Sequence, residues 1–162
     1  MEQFMKKIFK TASWVVLPFF LVLTLESKVF KDEPSRVQVD TPAGWEIGGD
    51  DTNLEVYSPD KLVSVLFHSS SNESLEGAIH ELEEELKKQM TDIQEGKPKK
   101  GKHNGMDMVT LAGTGVLEGT KVEWEVTILV AEKPVIVLSI LLPGWKKHLA
   151  TLNKFAKTIK KY

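Results

Sequence analysis

Val135-Ile136-Val137-Leu138-Ser139-Ile140-Leu141-Leu142 is the stretch whose reading decides the fold. It is apolar on both faces at a period of two. A strand of that kind needs a packed layer above and below it, so this run predicts the centre of a sheet. Just ahead of it, over residues 121–130, Val122, Trp124, Val126, Ile128 and Val130 fall on one face, and Lys121, Glu123, Glu125 and Thr127 fall on the other. That alternation marks a long strand with one buried face. The link Ala131-Glu132-Lys133-Pro134 is too short for a crossover, which takes about a dozen residues, so the two strands form an antiparallel hairpin. Pro134 can open the second strand but would not be tolerated inside it.

Working outward, Pro143-Gly144 ends the sheet, and Trp145, Leu149, Leu152, Phe155 or Ala156, and Ile159 form the stripe of a closing helix with lysines on its other face. Upstream, Glu118-Gly119-Thr120 turns the chain into the central pair from a long strand over residues 106–117, in which Gly113 and Gly115 predict a bulge or bend. Asn104-Gly105 is a two-residue hairpin signal, with a short edge strand before it. Leu75, Ala78, Ile79, Leu82, Leu86, Met90 and Ile93 recur at helical spacing, which predicts an amphipathic helix of about five turns. Ser74 or Asn72 caps it, Gly77 weakens it modestly, and it must end by Glu95-Gly96 because Pro98 follows. Its glutamates are expected to face water. Before it, residues 37–40, 54–57 and 62–68 read as a three-stranded meander, broken by the turn Pro42-Ala43-Gly44-Trp45 and the loop Gly48-Gly49-Asp50-Asp51. The order β-β-β-α-β-β-β-β-α predicts the α+β class: a single antiparallel β-sheet of about six or seven strands with two main helices packed on it.

The chain has no cysteine, which excludes thiol chemistry, cysteine-based metal sites and disulfides. A net charge of −2 gives no general pull towards nucleic acid. Lys6, Lys7 and Lys10, followed by the apolar residues 14–25, resemble an export leader. The apolar run is shorter than the ~20 residues of a membrane-spanning helix. Residues 1–27 are therefore expected to be a signal peptide or an N-terminal membrane anchor, residues 28–35 a linker, and residues 36–162 a single domain outside the cytoplasm.

Four features resemble the PsbP-like fold, shared by photosystem accessory proteins, DcrB-type exported bacterial proteins and a Ran-binding nuclear-import factor. They are Pro42-Ala43-Gly44-Trp45 after the first strand, the helix opening Ser74-Leu75-Glu76-Gly77-Ala78, Asn104-Gly105 before the long strands, and the ending Thr158-Ile159-Lys160. The resemblance covers roughly residues 36–160. It implies an α/β/α sandwich that binds or supports other proteins, and it carries over no catalytic or ion-binding residue.

No motif of spaced metal ligands or nucleophile elbow is present, and His68, His80, His103 and His148 stand far apart. A non-enzymatic role without cofactor or metal is expected. Lys97, Lys99, Lys100 and Lys102 with His103 form the densest positive segment, suited to a membrane surface or an acidic partner, or to protecting an edge strand. Trp45 and Tyr57, near one end of the sheet, mark where a groove would be sought. The first expectation is a monomeric, exported accessory domain acting at the outer face of a membrane through an envelope protein partner. The second is a carrier of a small apolar or lipid-like ligand, which requires a cavity of about 300 Å³ or more between sheet and helix. The third, a metal-assisted hydrolase, requires three clustered ligands from His68, His103, Asp50, Asp51 and Asp107.

Overall fold

In the computed structural model, which describes residues 27–162, Val135–Leu141 pairs antiparallel with Thr120–Val130 on one side and with Val63–Ser69 on the other. The expected leader lies outside the described residues, apart from Ser27. In chain order the elements are β1 (Val29–Asp32), β2 (Val37–Asp40), β3 (Glu46–Gly49), β4 (Asn53–Tyr57), β5 (Val63–Ser69), α1 (Leu75–Gln89), β6 (Thr91–Glu95), β7 (Lys99–His103), β8 (Met106–Leu117), β9 (Thr120–Val130), β10 (Val135–Leu141), a 3-10 turn (Trp145–His148), α2 (Leu149–Thr158) and β11 (Lys160–Lys161). Eight strands form one antiparallel sheet in the order β3-β4-β5-β10-β9-β8-β6, with β7 also on β8, and β1-β2-β11 form a second, three-stranded sheet.

The period of two sorts the core into two layers. Val122, Trp124, Val126 and Ile128 of β9, with Ile136, Leu138 and Ile140 of β10, meet Ala78, Leu82 and Leu86 of α1 on one face. Val135, Val137 and Leu141 of β10 face the other way, where Val37 and Val39 of the small sheet and Phe155 and Ile159 of the closing segment cover them. The architecture is the expected α/β/α sandwich, with the small sheet sharing one outer layer. Helix α1 starts where Ser74 Oγ accepts the Gly77 amide at 3.0 Å, and its early Glu76 and late Lys87 and Lys88 suit the helix dipole.

Four expectations are corrected. Residues 28–35 are not a linker: β1 pairs with β2, Phe30 sets its ring edge-on to Phe67 at 5.8 Å, and Asp32 and Ser35 are fully buried. Strand β2 therefore belongs to the small sheet, and the first strand of the meander is β3, where Gly48 and Gly49 disguised the strand as a loop. Helix α1 stops at Gln89, because Met90 is extended and Asp92 is left-handed (φ 51°), and the next residues pair with β8. Ile93 reaches the same core cluster from a strand that it was expected to reach from a helix. The pairing of β8 with β9 runs without a shift through Gly113 and Gly115, and the irregularity lies instead in β6, between Thr91 and Gln94. Gly113 is required by close approach, since a Cβ there would lie 2.2 Å from the Gln94 carbonyl oxygen and 2.5 Å from the Trp124 ring. Both two-residue hairpins use left-handed pairs, Asn104-Gly105 (φ 45° and 83°) and Glu118-Gly119 (φ 46° and 78°), as a primed turn demands.

Candidate functional site

Helix α2 is short and covers only part of its sheet face, which leaves a cleft of about 300 Å³ beneath it. The register builds the floor. Met108 stands opposite Leu129, Thr110 opposite Thr127, and Glu125 opposite both Ala112 and Ser139, all on the α2 side. Val137 and Leu141 extend the floor, and Trp145, Leu152, Phe155 and Ala156 form the roof. The Thr110 and Thr127 hydroxyls are 3.3 Å apart. Glu125 is exposed and has no hydrogen bond or ion pair among the described residues.

Side chains tie the roof down at both ends. At the start of the 3-10 turn Gly144 is left-handed (φ 94°), and the Asp60 carboxylate meets His148 Nε2 at 2.9 and 3.0 Å and Lys147 Nζ at 2.6 Å. Ser58 Oγ and the Leu62 amide also donate to Asp60, at 2.7 and 3.2 Å. The hydrogen bond from Lys147, helped by those from Ser58 and His148 and opposed by desolvation, holds the Asp60 carboxyl well below the usual carboxylate range. At the far end the Asp40 amide donates to Thr158 Oγ1 at 3.0 Å. There Asn104 Nδ2 donates to the carbonyls of Ile159 and Lys157 at 2.7 and 3.1 Å, and His103 Nε2 lies 3.1 Å from the Ile159 carbonyl.

These far-end contacts join two basic segments that are distant in sequence. Lys97, Lys99, Lys100 and Lys102 are exposed on and before β7, and Lys157, Lys160 and Lys161 are exposed at the end of the chain. Lys102 pairs with Asp107 at 3.2 Å. His103 is half-buried and lines the cleft.

Trp45 and Tyr57 are both buried, so they do not open a groove. The Trp45 ring sits edge-on to His148 at 5.4 Å, behind the roof tether. The Tyr57 hydroxyl donates to Glu55 at 2.7 Å. Burial, the Glu55 charge and that bond all push the phenol up, while burial outweighs the bond and raises the Glu55 carboxyl. No three acidic or histidine side chains gather as metal ligands among the described residues, so His68, His103, Asp50, Asp51 and Asp107 do not form the centre that the hydrolase expectation requires. Asp50 Oδ1 instead caps the β3–β4 turn, accepting from the Thr52 and Asn53 amides at 2.8 and 3.0 Å. Glu81 does not simply face water. It accepts from Ser70 and Ser71 hydroxyls at 2.8 Å and from Asn72 Nδ2 at 2.8 Å, and these bonds overcome desolvation and lower its carboxyl. The residues missed at the cleft, Glu125, Thr127 and Ser139, had one signal: Ser139 interrupts an otherwise apolar run.

The cyanobacterial PsbP (CyanoP) of Synechocystis superposes with a TM-score of 0.56 at 9% identity, covering 94% of this chain and 99% of that one. The fold is PsbP-like. Two further PsbP-like structures match: LpqN of Mycobacterium tuberculosis, described as involved in cell envelope biogenesis (TM-score 0.54, 11% identity, 83% and 90% covered), and PA94 of Pseudomonas aeruginosa, described as a putative regulator (0.50, 12%, 82% and 94%). No family model matches the sequence, and no curated protein matches it. At these identities the likeness concerns the fold alone.

Proposed function

We propose that this chain is an exported, non-catalytic accessory domain that acts at the outer face of a membrane through a protein partner. The observation that carries the reading is the row of exposed lysines along the β7 edge, residues 97–102, whose turn the Asn104 and His103 contacts fasten to the lysine-bearing end of α2. Lysines so placed repel another strand from the β7 edge and attract an acidic surface. The leader-like N-terminus and the PsbP-like fold shared with an envelope-biogenesis protein support the same reading. The test is photo-crosslinking in intact cells from position 100 and, as control, from position 84 on α1. The expected result is a discrete adduct from position 100 alone, lost when Lys97, Lys99 and Lys102 are changed to Glu, with the protein in the extracytoplasmic fraction. Equal adducts from both positions, no adduct from either, or a cytoplasmic location would overturn the reading.

A second reading, a carrier of a small ligand, is favoured by the cleft between α2 and the sheet, whose volume of about 300 Å³ is at the lower end for ligand pockets.

A further inference from the structure

We infer that the cleft under α2 is built for a small organic cation: an ammonium head beside Glu125 and an apolar body running towards His103. The inference rests on the carrier reading and adds the class of ligand. Its first support is the polarity of the cleft along its length. Leu141 pairs with Glu123 and Ser139 with Glu125, and the Trp145 amide donates to the Leu142 carbonyl at 3.0 Å, so Trp145 follows the end of β10 that lies opposite these glutamates of β9. From there α2 runs back until Ile159 meets His103, which is paired with Met106 at the other end of β8. Between the ends the lining is Met108, Leu129, Val137, Leu152 and Phe155, with the Thr110 and Thr127 hydroxyls and Asn153 among them. The one carboxylate and the indole therefore lie at one end, and the rest is apolar side chains with a pair of threonine hydroxyls in the floor.

The second support is charge. Glu125 is the one carboxylate among the lining residues, and no lysine or arginine lines the cleft. Lys99, which stands opposite Thr110, and Lys154, which follows Asn153, make no ion pair with Glu125. A carboxylate and an indole at one end of the same cleft are the groups that recognise an ammonium head, through charge and through the ring face. An anionic head would meet Glu125 as a like charge.

The test titrates the protein with octyltrimethylammonium, octanol and octanoate by calorimetry and follows backbone amide shifts. The cation should bind roughly tenfold tighter than octanol, with shifts confined to residues such as Glu125, Ser139 and Leu152, and octanoate should bind most weakly. Glu125→Gln should weaken the cation roughly fivefold and leave octanol unchanged. Leu152→Trp, which fills the cleft, should abolish binding of all three while circular dichroism shows the fold intact. Equal binding of cation and octanol, or no effect of Glu125→Gln, overturns the assigned head group and leaves the carrier reading standing. Absence of cleft shifts with every probe, or binding that survives Leu152→Trp, overturns both.

Discussion

Asp32 has no contact with solvent, and no cation pairs with it among the described residues, so hydrogen-bond donors must hold it. Its Oδ2 accepts from the Ser35 amide at 3.0 Å and from the hydroxyls of Ser35 and Ser69, while Oδ1 is buried without a partner. One carboxylate thus joins the β1–β2 turn to the end of β5. Replacing it with Ala strips the Ser35 amide and two hydroxyls of their acceptor at a buried site, where each unsatisfied group costs about 1–3 kcal/mol. Asp32→Ala should lower stability by about 2 kcal/mol in urea unfolding at pH 7. An unchanged midpoint would mean that water takes over the bonds and that the turn is not held by this residue. Nothing in the sequence marked Asp32 as special, because a lone acid between a lysine and a glutamate reads as surface. Its burial comes from long-range partners that only the folded chain supplies.

At the scale of elements, the roof helix α2 is held more by its ends than by its face, since Phe155 is its one buried residue. The Asp60 tether is therefore the place where pH should act on it. Asp60 has a depressed carboxyl in the folded state, so its contribution is full above the unfolded value of about 4, shrinks progressively as the pH falls below that, and is gone only once the pH has passed the lower folded value. Asp60→Asn should cost about 0.5–1 kcal/mol at pH 7, a figure kept small because the ion pair is partly exposed, and the gap to the unmodified protein should narrow in acid. Urea midpoints at pH 7 and pH 3 check both limbs, and a gap that widens in acid would contradict the tether. The β6–β8 contact makes a sharper case. Adding a methyl at Gly113 drives it into the Gln94 carbonyl and the Trp124 ring, so Gly113→Ala should lose about 2–3 kcal/mol and speed amide exchange in β6 before β9. Element type was legible wherever one face is buried along a full period, as in β9, β10 and most of α1. It failed where two periods coincide, as at Ile93, which suits both a fifth helical turn and a strand. It failed again at Gly48-Gly49, where conformational freedom at Gly49 (φ 97°) serves a turn immediately beside a paired strand.

For the whole molecule, the sequence told which strand is central but not which strands leave the main sheet. Val37 and Val39 announce a strand with one buried face, and a pattern of two valines cannot say whether its partner is β3 or β1. The same uncertainty hid the cleft, because Thr127 and Ser139 look solvent-facing or incidental until α2 is laid across them. The small sheet matters for stability in a way that a linker would not. Removing residues 27–35 deletes β1, takes Phe30 from the Phe67 ring, removes Asp32 from Ser69, and frees the edge of β2 above the buried Val37 and Val39. Full burial of an aromatic side chain is worth about 1.5–3 kcal/mol, of which half-buried Phe30 supplies a part beside the lost Asp32 bonds, and the bared edge strand invites pairing with a second copy. A chain beginning at Arg36 should therefore unfold at a markedly lower urea concentration, by roughly 3 kcal/mol or more, and should elute partly as larger species in size-exclusion chromatography. A chain begun at Ser27 should behave as a single sharp species. If the two chains share one midpoint and one elution volume, β1 contributes nothing, and the outer layer that covers Val135, Val137 and Leu141 is held by β2, β11 and α2 alone.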